Sequence, residues 1–362
     1  MSDLVSFSCD AASLTLEWAD SEPVRFPAVW LYDQCRDGHG WSTSQRLVDI
    51  ADLPENPAIG SVARVSRELL EIHWTGEEQP DRVAPAWLES VVRPQARPRP
   101  RCWTSDQGLP LHWADYGSVQ SNPAERADWL EALLRDGITL LRGVPLVEGE
   151  VERAAALLGY VIETNYGRLF DVRPEPAPDN LAYTALGLGL HTDNPYREPV
   201  PGYQLLHCLI SSAEGGESVF ADGFAVAGKL RGGDPSAFLT LTVVPVDFRY
   251  RDATAELTAR RTLIELDREG ETDRIHWNNR SLSTAGLPLG QAEEFYRAYR
   301  VFAGMLRGPE FRRHVRLQPG DLVAFDNSRV LHGRTGFAGE RLLQGCYVGR
   351  DGVASNLAVL RR

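Results

Sequence analysis

The chain has 362 residues, of which 43% are hydrophobic, and a formal net charge of −12 at pH 7. A chain of this length can bury one large core and a smaller one, which fits one or two domains. The acidic balance argues against nucleic acid or an anionic membrane as a partner. No apolar stretch approaches the length of a membrane span. The N-terminus lacks the basic segment followed by an apolar segment that is typical of a signal peptide. We therefore expect a cytoplasmic protein.

The cysteines agree with a reducing compartment. They are odd in number and scattered, which is typical of free thiols and not of a disulfide framework. The five are Cys9, Cys35, Cys102, Cys208 and Cys346.

The first ninety residues contain a faint internal repeat. The segments Leu14–Leu31 and Leu70–Leu88 each show an alternating strand, a polar turn, a second strand and a closing Trp-Leu pair. This predicts a small β-rich domain over residues 1–92. The prolines that follow predict a stiff, extended linker over residues 93–103, and residues 104–362 would form the second domain.

The second predicted domain alternates short strands with a few helices. Apolar spacing predicts helices over residues 124–134, 150–158 and 291–306. Three prolines between Arg168 and Asn180 favour a lid over a substrate site. Strands are expected over residues 137–144, 203–210, 238–250, 261–266, 274–278, 322–326 and 342–348.

A candidate metal site stands out in this domain. The run His191-Thr192-Asp193 is followed much later by His332 in the segment VLHGR. Two imidazoles and one carboxylate on one face of an iron leave the other positions open for a co-substrate and O2. The preceding PGDLVAFDN predicts a turn and a strand that place His332 just past the strand's end. Arg341 begins another predicted strand, which could direct its guanidinium into the same cavity.

Several long segments carry a family resemblance. NLAYT, HTDNPYREPVPGYQLLHC, GGESVFADGF and FDNSRVLHGR resemble γ-butyrobetaine dioxygenase and its relatives, within the taurine-dioxygenase-like Fe(II)/2-oxoglutarate oxygenases. The likeness covers nearly the whole chain. It implies a mainly β fold with flanking helices, in which a double-stranded β-helix (jelly roll) forms the catalytic domain beside the small N-terminal domain. Members are often dimers, so a homodimer is one expectation.

The resemblance also implies a role for each residue of the predicted metal site. His191, Asp193 and His332 would bind Fe(II) and form the catalytic centre, where 2-oxoglutarate and O2 are co-substrates and succinate and CO2 are released. Arg341 would hold the far carboxylate of 2-oxoglutarate through a bidentate pair. Ser218 would add a hydroxyl to the same carboxylate. Arg341 could instead be a surface ion-pair partner, and Ser218 could serve a turn.

The resemblance further implies a cage of aromatic side chains. A trimethylammonium group has charge but no N–H donor, so aromatic faces bind it well. Tyr166, Phe170, Tyr183 and Tyr347 match cage positions, and carnitine-forming relatives carry Trp where Phe170 stands. Each of these rings could instead be a core residue.

The other end of the substrate is expected to meet hydrogen-bond donors. Asn180 and Asn278 match positions that hydrogen-bond the carboxylate of γ-butyrobetaine. Arg280 stands where the animal enzyme has a small residue, and an added guanidinium suits a more highly charged oxyanion. This favours hydroxylation of 2-(trimethylamino)ethylphosphonate at the carbon next to phosphorus, with γ-butyrobetaine hydroxylation to L-carnitine as the alternative. Arg280 could also point to solvent.

A structural zinc site of the family is not expected here. Relatives carry a cysteine cluster after a Trp-Leu pair, whereas WLYDQCRDGHG retains Cys35 and has Asp37 and Gly40 in place of the other two. Cys35, Asp37 and His39 could bind a metal adventitiously. A lone cysteine in a folded domain is more often a small buried hydrophobe.

Two classes of function remain open from the sequence. The first is an active oxygenase, and the second is a binding protein of the same fold that holds a betaine or 2-oxoglutarate without turnover. The complete set of predicted iron ligands together with Arg341 favours the enzyme. Fe(II)-dependent succinate formation would separate the two.

Overall fold

The computed structural model describes residues 3–19, 21–36, 48–93, 100–105, 111–176 and 181–361. The chain divides into two compact units, residues 1–97 and 98–362. The predicted domains 1–92 and 104–362 and the linker 93–103 stay a prediction, and part of that linker lies outside the described residues. In the described ranges, no helix combines the length and apolar character needed to cross a membrane.

The first unit contains the predicted repeat, which folds as two three-stranded antiparallel sheets, each followed by a helix. The two Trp-Leu pairs lie on these helices. The rings of Trp30 and Trp87 stack with their centroids 5.9 Å apart, and Leu31 and Leu88 are fully buried. The elements are β1 (Leu4–Asp10), β2 (Ser13–Trp18), β3 (Val24–Pro27), α1 (Ala28–Arg36), β4 (Ile59–Ser66), β5 (Leu69–Trp74), β6 (Asp81–Val83) and α2 (Pro85–Val92).

The second unit is mainly β with flanking helices, as predicted. Its elements are β7 (Trp113–Asp115), α3 (Tyr116–Ser121), α4 (Pro123–Asp136), β8 (Ile138–Arg142), α5 (Glu150–Ala156), β9 (Val161–Ile162), β10 (Phe170–Val172), β11 (Leu188–His191), β12 (Tyr203–Ser211), β13 (Glu214–Gly215), β14 (Ser218–Asp222), α6 (Gly223–Gly233), α7 (Pro235–Val243), β15 (Val246–Arg251), β16 (Glu256–Arg261), β17 (Ile264–Leu266), β18 (Thr272–Ile275), β19 (Leu282–Ser283), α8 (Leu289–Arg307), β20 (Arg313–Val315), β21 (Leu322–Asp326), β22 (Val330–Arg334), β23 (Phe337–Ala338), β24 (Arg341–Val348) and α9 (Arg350–Leu360).

Two sheets of this unit form the predicted double-stranded β-helix. The larger sheet has the order β10-β24-β12-β21-β8-β7, with β9 beside β24, and the smaller has the order β11-β22-β14-β20. Because successive side chains on a strand point to opposite faces, Leu206 and Phe325 of the larger sheet meet Phe220 of the smaller one in a shared core. Leu205, one residue away from Leu206, faces the opposite side.

Helices cover the outer faces of both sheets. Trp129 of α4 packs in the same core as Leu141 and Val348 of the larger sheet. Phe302 of α8 packs in the same core as Leu331 of the smaller sheet. The two sheets of the jelly roll therefore lie between helical layers.

Most long predicted elements are confirmed, but the strand predicted over 238–250 is wrong in its first half. Residues Pro235–Val243 form α7, and only β15 is a strand. The β-branched and aromatic residues of this stretch favour a strand locally. However, Asp234 caps the helix by accepting a hydrogen bond from the Ala237 N–H at 2.9 Å, and Pro235 fits the first helical turn.

Other boundaries also differ from the sequence prediction. The stretch predicted as one strand over 261–266 is split between β16 and β17, and β18 ends at Ile275. Phe170–Val172, in the predicted lid, pairs with β24 and belongs to the larger sheet. The end of that lid, residues 177–180, lies outside the described residues.

Candidate active site

The three predicted iron ligands meet where β11 and β22 pair. His191 is the last residue of β11 and lies directly opposite His332 in the antiparallel register, with their ring centroids 4.2 Å apart. His332 lies within β22 and not just past the end of the preceding strand, because the chain turns after β21 and begins a new strand in the smaller sheet. One ligand atom each from His191, Asp193 and His332 lies within 4.8 Å of the others.

A turn after Asp193 takes the chain out of the strand. Asn194 has a φ of 54°, in the left-handed region that Asn tolerates better than most side chains. Its carbonyl accepts a hydrogen bond from the Arg197 N–H at 3.0 Å. The tight reversal keeps Asp193 beside the two histidines.

The two oxygens of the Asp193 carboxylate have different neighbours. Oδ1 lies 3.2 Å from His191 Nε2, and Oδ2 lies 3.7 Å from His332 Nε2. Tyr347 donates its hydroxyl hydrogen to Oδ2 at 2.8 Å. Burial alone would raise the pKa of Asp193, but the contacts with His332, His191 and Tyr347 hold that pKa well below its usual range.

The donor atoms of this site fit Fe(II). His191 Nδ1 lies 2.9 Å from the Gly189 carbonyl, and donation to that oxygen leaves Nε2 as the lone-pair nitrogen facing Asp193. Burial, followed by the charge of His191, lowers the pKa of His332 to about 3. Burial also lowers the pKa of His191. Neutral imidazoles and an ionised carboxylate are the forms that bind a divalent metal, and two nitrogens with one oxygen match the facial triad of non-haem Fe(II).

The site opens into a cavity of about 440 Å³ between the two sheets. Alternation along β24 places Arg341, Leu343 and Tyr347 on the cavity side, while Cys346 packs in the core behind the sheet. Asn180 lies outside the described residues. The other predicted site residues all line this cavity: Tyr166, Phe170, Tyr183, His191, Asp193, Ser218, Asn278, Arg280, His332, Arg341 and Tyr347.

One end of the cavity fits the far carboxylate of 2-oxoglutarate. Arg341 is buried, and its Nε donates to the Gly216 carbonyl at 3.2 Å. Within the described part of the chain its Nη1 has no hydrogen-bond partner, and no carboxylate pairs with the guanidinium. Burial lowers the pKa of Arg341, so an anion placed here would compensate an otherwise costly buried charge. Ser218 lies on β14 of the smaller sheet and lines the same cavity.

Aromatic rings form another wall. The Tyr166 and Tyr196 hydroxyls lie 3.2 Å apart, and the Tyr196 ring stacks on Tyr250 with centroids 5.0 Å apart. The centroids of Phe170 and Tyr347 are also 5.0 Å apart. The sequence did not predict Tyr196 or Tyr250, although Tyr196 closely follows the ligand motif. The sequence holds no signal for Tyr250, because the alternation of side chains along β15 does not show which of its faces lines the cavity.

Asn278 and Arg280 line the cavity beside the metal site. Asn278 donates one amide hydrogen to the Thr192 carbonyl at 3.0 Å, and its Oδ1 accepts from the Arg280 N–H at 3.1 Å. One amide hydrogen of Asn278 therefore remains for a ligand. The Arg280 side chain reaches the open cavity and has no hydrogen bond or ion pair with any described residue. The surrounding protein lowers the pKa of Arg280 by desolvation, and Asp193 opposes that shift.

Asn327 is a site residue that the sequence did not predict. It is fully buried, and its Oδ1 accepts from the Asp193 N–H at 2.7 Å. Its amide donates to the carbonyls of Asp193 and Pro201 at 3.0 and 3.1 Å. A single sequence carries no signal for this contact, because the two residues are far apart in the chain.

Of the three N-terminal residues considered for adventitious metal binding, the structure describes only Cys35. Its thiol is largely buried, and burial raises its pKa to about 12. Asp37 and His39 lie outside the described residues. The prediction that the family's zinc site is lost stays a prediction.

Comparisons with known proteins decide the family. Residues 98–347 match the family described as "Taurine catabolism dioxygenase TauD, TfdA family", and residues 5–80 match "Gamma-butyrobetaine hydroxylase-like, N-terminal". The chain belongs to the TauD/TfdA family. As a TauD/TfdA member it is a dioxygenase that uses Fe(II) and 2-oxoglutarate, and this confirms the predicted class and cofactors.

Curated TauD/TfdA relatives match along the full length of the chain. A γ-butyrobetaine dioxygenase from Pseudomonas sp. is 36% identical over 100% of this chain and 97% of its own length. The Homo sapiens γ-butyrobetaine dioxygenase is 33% identical over 95% of this chain and 93% of its own length. A trimethyllysine dioxygenase from Meyerozyma guilliermondii is 28% identical over 99% of this chain and 96% of its own length.

Solved structures support the TauD/TfdA fold. An asparagine oxygenase, in complex with Fe(II), a hydroxyasparagine and succinate, superposes with a TM-score of 0.52 at 20% identity over 65% of this chain and 82% of its own. A taurine dioxygenase from Burkholderia xenovorans superposes with a TM-score of 0.52 at 18% identity, over 72% of this chain and 94% of its own. At these identities the likeness concerns the fold.

Proposed function

We propose that this dioxygenase hydroxylates a small trimethylammonium compound, with γ-butyrobetaine as its first substrate and L-carnitine as the product. When bound, Fe(II) lets O2 couple the oxidative decarboxylation of 2-oxoglutarate, to succinate and CO2, to hydroxylation of a substrate C–H bond. The observation that carries the proposal is the cavity, in which the iron-ligand set, an aromatic wall and two arginines, Arg280 and Arg341, face one space; neither arginine has an ion pair with a described residue. Full-length similarity to γ-butyrobetaine dioxygenases supports it.

The proposal assigns the metal and co-substrate to one end of the cavity. His191, Asp193 and His332 bind Fe(II), and the guanidinium of Arg341 pairs with the far carboxylate of 2-oxoglutarate. Ser218 adds a hydroxyl from β14 of the smaller sheet. The buried Nη1 of Arg341, which lacks a described partner, supports this placement.

The substrate lies between the aromatic wall and Arg280. Tyr166, Phe170, Tyr183 and Tyr347 offer ring faces to the trimethylammonium group, whose charge needs no hydrogen bond. The proposed aromatic contacts also include Tyr196 and Tyr250. Asn180, Asn278 and Arg280 bind the anionic end in this proposal, and the cavity position of Arg280 supports its part.

A second candidate substrate is 2-(trimethylamino)ethylphosphonate, which the sequence favoured. The observation in its favour is Arg280, whose guanidinium faces the cavity without a hydrogen bond or ion pair to a described residue. A phosphonate offers more negative charge to such a group than a carboxylate does. The curated relatives nevertheless support γ-butyrobetaine better, because their names include it and full-length identity reaches 36%.

The test is a side-by-side assay of succinate release and hydroxylated product with the two compounds, using the wild type and Arg280→Ala. We expect γ-butyrobetaine to have the higher kcat/KM, and Arg280→Ala to raise its KM by about tenfold through the lost charge-assisted contact. Preference for the phosphonate, with a larger loss in Arg280→Ala, would support the second candidate. If γ-butyrobetaine is far faster and Arg280→Ala leaves it unchanged, Arg280 has no role in binding and the phosphonate candidate fails.

A matched variant checks the ligand assignment in the same assay. Asp193→Ala removes a proposed iron ligand, and we expect it to abolish Fe(II)-dependent succinate release with both compounds. Unchanged turnover in this variant would refute the ligand set. Absence of succinate from the wild type with every trimethylammonium compound tested would refute the proposed substrate class.

A further inference from the structure

We propose that the Tyr347 hydroxyl positions the Asp193 carboxylate for metal binding, a role separate from any contact of the Tyr347 ring with substrate. The hydroxyl donates to Oδ2 at 2.8 Å, while Oδ1 lies 3.2 Å from His191 Nε2. The tyrosine therefore holds one carboxylate oxygen and leaves the other facing the proposed metal position. The inference rests on the proposed role of Asp193 as a ligand.

The sheet holds the donor in a fixed position. Tyr347 is 3% exposed, and its backbone lies on β24 between Gln204 of β12 and Ile162 of β9. Its ring packs on Phe170. Gly345, two residues before Tyr347, makes room for the Phe170 ring, because a Cβ added at Gly345 would lie 2.6 Å from carbon atoms of that ring. The hydroxyl has little freedom to leave Asp193.

The physical reason for an effect on metal binding is the cost of orienting a buried carboxylate. A hydrogen bond to an ionised acceptor is about twice as strong as one between neutral groups. Partners that orient a metal ligand change metal affinity by about 10- to 100-fold when they are removed. Asn327 holds the backbone of Asp193, whereas Tyr347 contacts its carboxylate, so the two contacts fix different parts of the ligand.

Tyr166 provides the matched control. Its ring lines the same cavity, but its hydroxyl meets the Tyr196 hydroxyl at 3.2 Å and no predicted metal ligand. A Tyr→Phe change at either position keeps the aromatic ring. If Tyr347 acts only through its ring, both variants will therefore bind metal as the wild type does.

The experiment titrates metal-free wild type, Tyr347→Phe and Tyr166→Phe with Co(II), without substrate, and records affinity and the Co(II) absorption spectrum. We expect Tyr347→Phe to bind Co(II) about 10- to 100-fold more weakly with a changed spectrum, and Tyr166→Phe to match the wild type. Melting temperatures of the metal-free proteins check that each variant is folded. Co(II) affinity of folded Tyr347→Phe within about twofold of wild type overturns the inference, since the loss expected on removing an orienting partner would be absent.

Asp193→Ala separates the two possible failures. If this variant loses Co(II) affinity while Tyr347→Phe does not, the positioning role fails and the ligand assignment stands. If Asp193→Ala binds Co(II) as well as the wild type, the ligand assignment itself is wrong. A higher ratio of succinate to hydroxylated product in Tyr347→Phe, with substrate at saturation, would add support from turnover.

Discussion

At the scale of single residues, Asn327 shows how the backbone of a proposed metal ligand is held. Its side chain satisfies both the N–H and the carbonyl of Asp193 and also the carbonyl of Pro201. Buried polar backbone groups that lose their partners are costly. Asn327 therefore contributes both to the stability of this loop and to the position of Asp193.

We expect Asn327→Ala to lower the melting temperature of the metal-free protein by about 5 °C or more, because it leaves buried polar groups without partners. Co(II) affinity should fall as well, by about tenfold. Differential scanning calorimetry and metal titration measure the two effects. Asn356→Ala is the control, since Asn356 donates a single hydrogen bond to the Leu158 carbonyl away from the cavity. Equal metal affinity in both variants would contradict the role of Asn327.

At the scale of elements, β22 connects the metal site to the segment 181–186. Arg334 follows His332 by two positions on this strand, so both side chains point to the cavity. Its guanidinium donates to the carbonyls of Leu181 and Leu186 at 3.2 and 3.3 Å, and also to that of Thr184. Burial, with the charges of Arg341 and Arg280, lowers the pKa of Arg334 to about 10. The strand thereby fixes the segment that carries Tyr183.

We expect Arg334→Gln to loosen the segment 181–186, since the lost contacts include hydrogen bonds from a charged donor. Amide hydrogen exchange in this segment should become at least about tenfold faster, and KM for the proposed trimethylammonium substrate should rise more than kcat falls. Hydrogen exchange with mass spectrometry and steady-state kinetics measure these effects. Arg126→Gln removes contacts to the Val119 and Gln120 carbonyls outside the cavity and serves as the control. Unchanged exchange in Arg334→Gln would show that other contacts hold the segment.

At the scale of the whole molecule, helices on both sides of the jelly roll enclose polar groups within its sheets. His207 on β12 is fully buried, and burial lowers its pKa, while the charge of Glu150 opposes the shift. The folded state therefore disfavours the protonated imidazole. A group with a depressed folded pKa stabilises the protein above its unfolded pKa of 6.5, and this contribution is lost as pH falls below that value.

We expect the stability of the metal-free protein to fall as pH decreases from 7 to 5.5, with His207 contributing up to about 1.4 kcal/mol per pH unit. In His207→Gln the melting temperature should depend less steeply on pH over this range. His73→Gln, which changes an exposed histidine, should keep the slope of the wild type. Calorimetry at several pH values gives the comparison, and parallel curves for wild type and His207→Gln would refute the contribution of His207.

Features that depend on neighbours along the chain could be predicted from the sequence. The strand that begins at Arg341 is confirmed from end to end, because turn residues and an apolar run mark it locally. The ligand motif and the long family-like segments indicated the fold and the cofactors. Even the repeat in the first ninety residues was visible, because each copy forms its own strands and helix.

Only the tertiary structure decided which distant groups meet. The register between β11 and β22 places His191 opposite His332, and the fold brings Asn327 to the backbone of Asp193. The same fold directs the Tyr347 hydroxyl to the Asp193 carboxylate, where the sequence had predicted only an aromatic wall. Hydrogen-bond partners separated by more than a hundred residues leave no local pattern, because strand pairing and packing alone set their distance.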